Sequence, residues 1–191
     1  TRELAEAERV RLWKLLEMQR HAMLMFTSCG WFFNEISGIE TIQVLQYAGR
    51  AIQLAEELFE ASFEPDFLER LEQAPSNVPE IGDGREVYRR HVAPARVDLA
   101  KVAAHFAVSS LFEEYENPAK IYCFEVDVHD EMVSESGQAA VGIGHATIRS
   151  TITGESAHLA YGALRVADHT VSGGARAFEG EEAYREVARE V

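Results

Sequence analysis

The spacing of apolar residues changes period once along the chain, near Asn117–Pro118. Before that point it is helical. Leu4, Ala7, Val10, Trp13, Leu16, Met23 and Phe26 recur mostly at steps of three or four, which predicts a first helix over about residues 2–26 carrying one apolar stripe. A second helix is expected from Ser37, where Ser37 and Glu40 spell a capping box and Ile42, Leu45, Ile52, Ala55 and Phe59 form its buried face. Pro65 suits the first position of a short third helix over about 65–73, since a missing N–H costs nothing there. The run APSNVPEIGDG (74–84) reads as a loop, and Asp83 with Glu86 repeats the capping logic. A fourth helix is expected over about 85–115, kinked or broken at Pro94, with apolar contacts from Val87, Val102, Phe106, Leu111 and Phe112.

After Pro118 the period is two. In KIYCFEVDV (120–128) Tyr122, Phe124, Val126 and Val128 share one face, opposite Glu125 and Asp127. QAAVGIGHATIRSTIT (138–153) and SAHLAYGALRV (156–166) are further strands, joined by turns at SESG and TGES. VSGGARAF (171–178) reads as a glycine-rich turn, and 179–191 as a terminal helix. The fold class is therefore α+β. A bundle of about four helices (1–117) is followed by an antiparallel sheet or sandwich with a C-terminal helix (118–191).

Charge narrows the function. With 32 acidic against 18 basic residues the formal charge is −14, which disfavours nucleic acid and anionic membrane surfaces as partners. No apolar run approaches the roughly 20 residues of a membrane span, and no signal peptide is visible. The chain begins at Thr1 rather than Met, so it reads as a fragment whose targeting signal would lie elsewhere. Cys29 and Cys123 are far apart, which suits free thiols in a reducing cytosol better than a disulfide framework.

The chemistry-bearing candidates are few. Glu35 with Glu40, Glu56–Glu57 and Glu113–Glu114 are carboxylate pairs of the kind glycosidic chemistry uses. Segment 54–86, however, holds ten acids and two bases, and such clusters read as solvated faces. His145 and His158 lie on neighbouring expected strands and can meet across a sheet, where a hydrogen-bonded structural role is the plainer reading. The His91–His105 and Glu17–His21 spacings do not make a metal site, and no metal or cofactor is expected. Nucleophile-elbow, P-loop and dinucleotide motifs are missing; VGIGHA (141–146) holds G-x-G, but no helix opens after it.

One stretch stands out. FTSCGWFFNEISGIET (26–41) connects two helices, where polar residues are the norm, yet carries Trp31, Phe32 and Phe33 in a row. These rings can fold back onto the bundle, dock on another domain, or wall a pocket. In the last case an indole face stacks on a sugar ring while Asn34 and Glu35 bond its hydroxyls.

The stretches LLEMQRHAMLMFTSCGWFFNEISGIETIQVLQYAGRAIQLAEEL (15–58), PSNVPEIGDGREVY (75–88), PARVDLAKVAAHFAVSSLFEEY (94–115), IYCFEV (121–126) and DHTVSGGARAFEGEEAY (168–184) resemble an uncharacterised domain. That domain follows the catalytic barrel in bacterial proteins related to glycoside hydrolase family 57. The resemblance implies a longer polypeptide whose N-terminal distorted β/α barrel holds the nucleophile and the acid/base, so no catalytic residue is expected in this chain. It also implies that this region packs on the barrel, its partner, and helps to line an oligosaccharide cleft. The matching segment is 28–35, with Trp31 leading and Ser28, Phe32, Asn34 and Glu35 beside it. The rival expectation is a purely structural docking domain that touches no ligand.

Overall fold

The computed structural model describes residues 2–167 and 170–188, the last three by backbone alone. Helices α1 (Glu6–Leu24), α2 (Cys29–Phe32), α3 (Ile39–Phe59), α4 (Glu64–Glu72), α5 (Gly84–Val87) and α6 (Leu99–Ser109) come first. Strands β1 (Ala119–Ile121), β2 (Phe124–Ser136), β3 (Ala139–Ser150), β4 (Ser156–Val166) and β5 (Thr170–Ala177) follow, then α7 (Glu181–Ala188). This is the α+β order read from the periodicity. Residues 189–191 of the expected terminal helix, and Asp168 and His169 of the resemblance, lie outside the described residues. Among the described residues no helix is long and apolar enough to cross a membrane. The chain forms two compact units, Thr1–Arg96 and Val97–Val191. The strands do begin where the period changes, after Pro118. The second unit nonetheless starts one helix earlier than 118, because α6 packs on the sheet.

In the first unit α3 is the central element. Its inner face is small and apolar, with Leu45, Ala48, Gly49, Ala51, Leu54 and Leu58 buried. A Cβ on Gly49 would stand 2.8 Å from Cγ1 of Val92, so glycine there lets α3 and the turn after α5 approach closely. That turn, Tyr88–Val92, is π-helical and supplies Tyr88 and Val92 to a core shared with Leu45 and Val87. Arg96 pairs with the Glu64 carboxylate and donates to the Tyr88 hydroxyl, whose pKa burial pushes up to about 12. Pro94 ends this helical segment, as expected of a residue without an N–H. Asp83 caps α5 through the Glu86 N–H at 3.1 Å. The capping box expected at Ser37 is not formed: Gly38 is the N-cap and no side chain caps α3.

Helix α1 packs along α3, tied by Lys14 Nζ to Glu57 Oε2 at 2.8 Å, yet it has no buried residue. Its apolar stripe points the other way from an ordinary core stripe. Trp13 and Leu16 are each 52% exposed, Met23 67% and Phe26 76%.

The second unit is a single five-stranded antiparallel meander in the order β1-β2-β3-β4-β5. Two expectations fail in it. The stretch 120–128 is not one strand: Tyr122, at φ 51°, and Cys123 form a tight turn between β1 and β2, leaving Tyr122 exposed. The glycine-rich stretch 171–178 is not a turn but most of β5, paired with β4 from Leu159–Ala177 to Val166–Thr170. One sheet face is covered by α6. Phe106, Ala103, Ala107 and Val102 pack there with Val126, Ala146, Ile148, Leu159, Tyr161 and Ala163. The helix comes so close to β5 that a Cβ on Gly173 would lie 2.6 Å from Cγ2 of Val108. Its neighbour Gly174 points to the other face, where a Cβ would meet nothing within 4 Å. Gly173→Ala is therefore expected to destabilise the chain by about 1–3 kcal/mol, as overpacking does, while Gly174→Ala stays within about 0.5 kcal/mol of the parent. Urea denaturation of the two variants checks this pair.

Candidate functional site

The helical connector is built from three parts. Chain reversal after α1 is followed by the single turn of α2, in which the Ser28 carbonyl accepts from the N–H groups of Trp31 at 3.1 Å and Phe32 at 2.9 Å. Gly30 presses against α3, where a Cβ would stand 3.0 Å from both Val44 methyls. With that side of the turn held against α3, the rings face outward. Trp31 and Phe32 are each 73% exposed and Phe33 50%. Phe32 and Phe33 meet edge to face, with centroids 5.2 Å apart.

The polar half of the connector faces the loop before α5. Glu35 Oε1 accepts from the Ser37 N–H at 2.8 Å and the Ser76 hydroxyl at 2.7 Å, and Oε2 from the Asn77 N–H at 2.7 Å. The Asn34 carbonyl accepts from the Asn77 side-chain amide. Three donors on one carboxylate, the Ser76 hydroxyl foremost, hold the Glu35 pKa down at about 2. The five residues expected to act together thus divide by role. Ser28, Trp31, Phe32 and Asn34 are exposed, and Glu35 is the clamp that fixes the connector to residues 76–77. Phe26 and Ile39 of the same stretch, and Met23 just before it, are exposed as well, Ile39 at 78%.

The other candidate cluster is on the sheet face away from α6. His145 and His158 do meet across the sheet, Nδ1 to Nε2 at 2.9 Å. His129, at the bulge between Val128 and Asp130, bonds Thr147 Oγ1 at 2.8 Å. Phe178 stacks on His145 and His158 with centroids 4.4 and 4.2 Å away. Burial first, then the neighbouring His129 and His145, lower the His158 pKa. Among the described residues no three His, Cys, Asp or Glu side chains are arranged to hold a metal ion. Cys29 and Cys123 are free thiols.

The Glu35 clamp has a pH signature. A carboxylate whose folded pKa is depressed contributes stability above its unfolded value, near 4.5, and loses it as pH falls toward about 2. Glu35→Gln is expected to lower the thermal midpoint at pH 7, and the gap from the parent is expected to close between about pH 4.5 and pH 2. A gap independent of pH would mean that the carboxylate charge is not what holds the loop.

Neither the curated proteins nor the solved structures contain a match to this chain. One family model matches it along its whole length, residues 1–191. The chain belongs to the family described as Domain of unknown function (DUF3536).

Proposed function

We propose that this chain is an accessory region of a longer bacterial, glycoside hydrolase family 57-like protein, and that it packs on the catalytic barrel of the same polypeptide. The carrying observation is the apolar surface of the first unit. Trp13, Leu16, Met23, Phe26, Trp31 and Phe32 are all at least half exposed along α1 and the connector. Scattered apolar residues on a surface need no explanation, but a run of large ones along one helix and its following turn marks an interaction surface. Aromatic and Met residues are enriched at interface centres. The Glu35 clamp supports the same reading, since it holds the rings in one place before they meet a partner. The sequence resemblance supplies the partner's identity, and the two free thiols suit a reducing cytosol. The excess of acidic residues disfavours nucleic acid and anionic membranes as partners.

A second reading rests on Asn34. Asn34 and Trp31 are both exposed on the same connector, so the amide and the indole can form part of the barrel's oligosaccharide cleft. Glu35 has less to offer there, because both its oxygens already accept hydrogen bonds from residues 37, 76 and 77.

Trp31→Ala in the polypeptide that includes the barrel separates the two. Docking predicts a loss of about 2 kcal/mol in the barrel's association with this region, as for a buried aromatic anchor. It shows as a lower thermal midpoint with oligosaccharide affinity per folded molecule unchanged. The cleft reading predicts weaker oligosaccharide binding with the midpoint held. No change in either quantity would remove Trp31 from both roles.

A further inference from the structure

The histidine cluster is also the contact that seats the C-terminal segment on the sheet. His145 Nδ1 and His158 Nε2 lie 2.9 Å apart, so one ring must donate and the other accept. Whichever ring owns it, a single proton lies between them. With that bond intact the pair has room for one proton more than its neutral form, on an outer nitrogen, and no room for a second. Phe178 is stacked on both rings at once, with centroids 4.4 Å from His145 and 4.2 Å from His158. Tyr184 of α7 meets His145 edge to face at 4.8 Å. The segment from Phe178 into α7 thus rests on two imidazoles that must stay together.

The charges around the pair suit one extra proton. Glu181 of α7 stands 3.5 Å from His145 Nε2 and shares its charge with Arg185, 3.8 Å away. Asp130 of β2, opposite His145 in register, faces the Tyr184 hydroxyl. Glu131 bonds Ser110 and Tyr161 instead. Against these stand His129 of β2, with its ring 5.7 Å from His145 and 4.9 Å from His158, and Arg176 of β5, in the same cross-strand row as Asp130, His145 and Ala160. His145 is 4% exposed, so its charge is poorly screened by water. A second proton on the pair would set two N–H groups against each other and drive the rings apart. Phe178 cannot then remain stacked on both.

We propose that His145 and His158 form an acid-operated latch, which holds the segment from Phe178 through α7 on the sheet while one proton lies between the two rings and releases it when each facing nitrogen carries its own. The lowered pKa of His158 has the matching sign, since a histidine depressed in the closed form stabilises that form above its free value, near 6.5, and less as pH falls below it. The latch is separate from the docking surface of the first unit and from the Glu35 clamp.

Two backbone bonds report on it: the Phe178 N–H to the His158 carbonyl and the Tyr184 N–H to the Gly180 carbonyl, both at 3.1 Å. Amide hydrogen exchange of the full chain, corrected for the intrinsic rate, is the measurement. Protection at Phe178 and Tyr184 is expected to fall roughly tenfold from about pH 7.5 to about pH 5.5, as uptake of one proton on opening allows. Protection at Ser110, whose N–H bonds the Phe106 carbonyl of α6, is expected to hold. His158→Gln keeps an acceptor but does not titrate, and is expected to leave less than about a twofold fall. His145→Gln is expected to do the same, should His158→Gln disturb the sheet. Glu181→Gln is expected to keep the fall. Equal protection of the parent at both pH values, or a full tenfold fall in both histidine variants, overturns the latch. Loss of the fall in Glu181→Gln overturns it as well, by placing the titrating group on the carboxylate.

Discussion

Apolar surface that the first unit cannot cover by itself is the constraint on which the account turns. Helix α3 buries a small apolar face, part of which, at Leu45 and Gly49, meets Val87, Tyr88 and Val92. Helix α1 is left to lie along α3 through half-buried side chains, with apolar residues on its outer side as well. A helix with an apolar stripe normally turns that stripe towards a core. Here Trp13, Leu16 and Met23 are in water, and the connector that follows exposes three more rings.

The polar residues around that surface fix it in place. Glu35 accepts one hydrogen bond from Ser37 and two from Ser76 and Asn77, in a loop some forty residues away in sequence, and Gly30 allows α2 to sit against Val44. Ordering aromatic side chains before contact reduces the entropy lost on association. The same residues therefore serve the fold of the unit and, on the proposed docking, its readiness for a partner. In the second unit the division is between the two sheet faces. One is closed by α6, with glycine where the helix crowds β5. The other holds the histidine cluster and, in register on β4 and β5, Gly162 and Gly174.

Much of this was legible in the chain. Helical and strand periods separate cleanly around Pro118, Asp83 caps where its spacing with Glu86 says it does, and Pro94 ends a helical segment. What was not legible has physical causes. Periodicity reveals that α1 has an apolar stripe but carries no information on what covers it, so Trp13 and Leu16 read like core residues. Tyr122 adopts a left-handed conformation without being glycine, asparagine or aspartate, so the turn between β1 and β2 had no sequence signal. Glycines in SGGA read as a turn because turns are where glycine is most often required. In β5 one of them answers to Val108 of a helix more than sixty residues earlier, a tertiary demand that no local pattern records. Glu35 was legible as important, but its partners Ser76 and Asn77 lie in a loop with no pattern that points back to it.

The chain's two tryptophans, Trp13 and Trp31, both lie on the exposed apolar surface, which makes their fluorescence a direct reporter of its cover. The decisive measurement is acrylamide quenching of the 191-residue chain compared with the same chain in line with the barrel proposed as its partner. The account predicts that both indoles are readily quenched in the first and shielded in the second. Equal access to quencher in the two would contradict it.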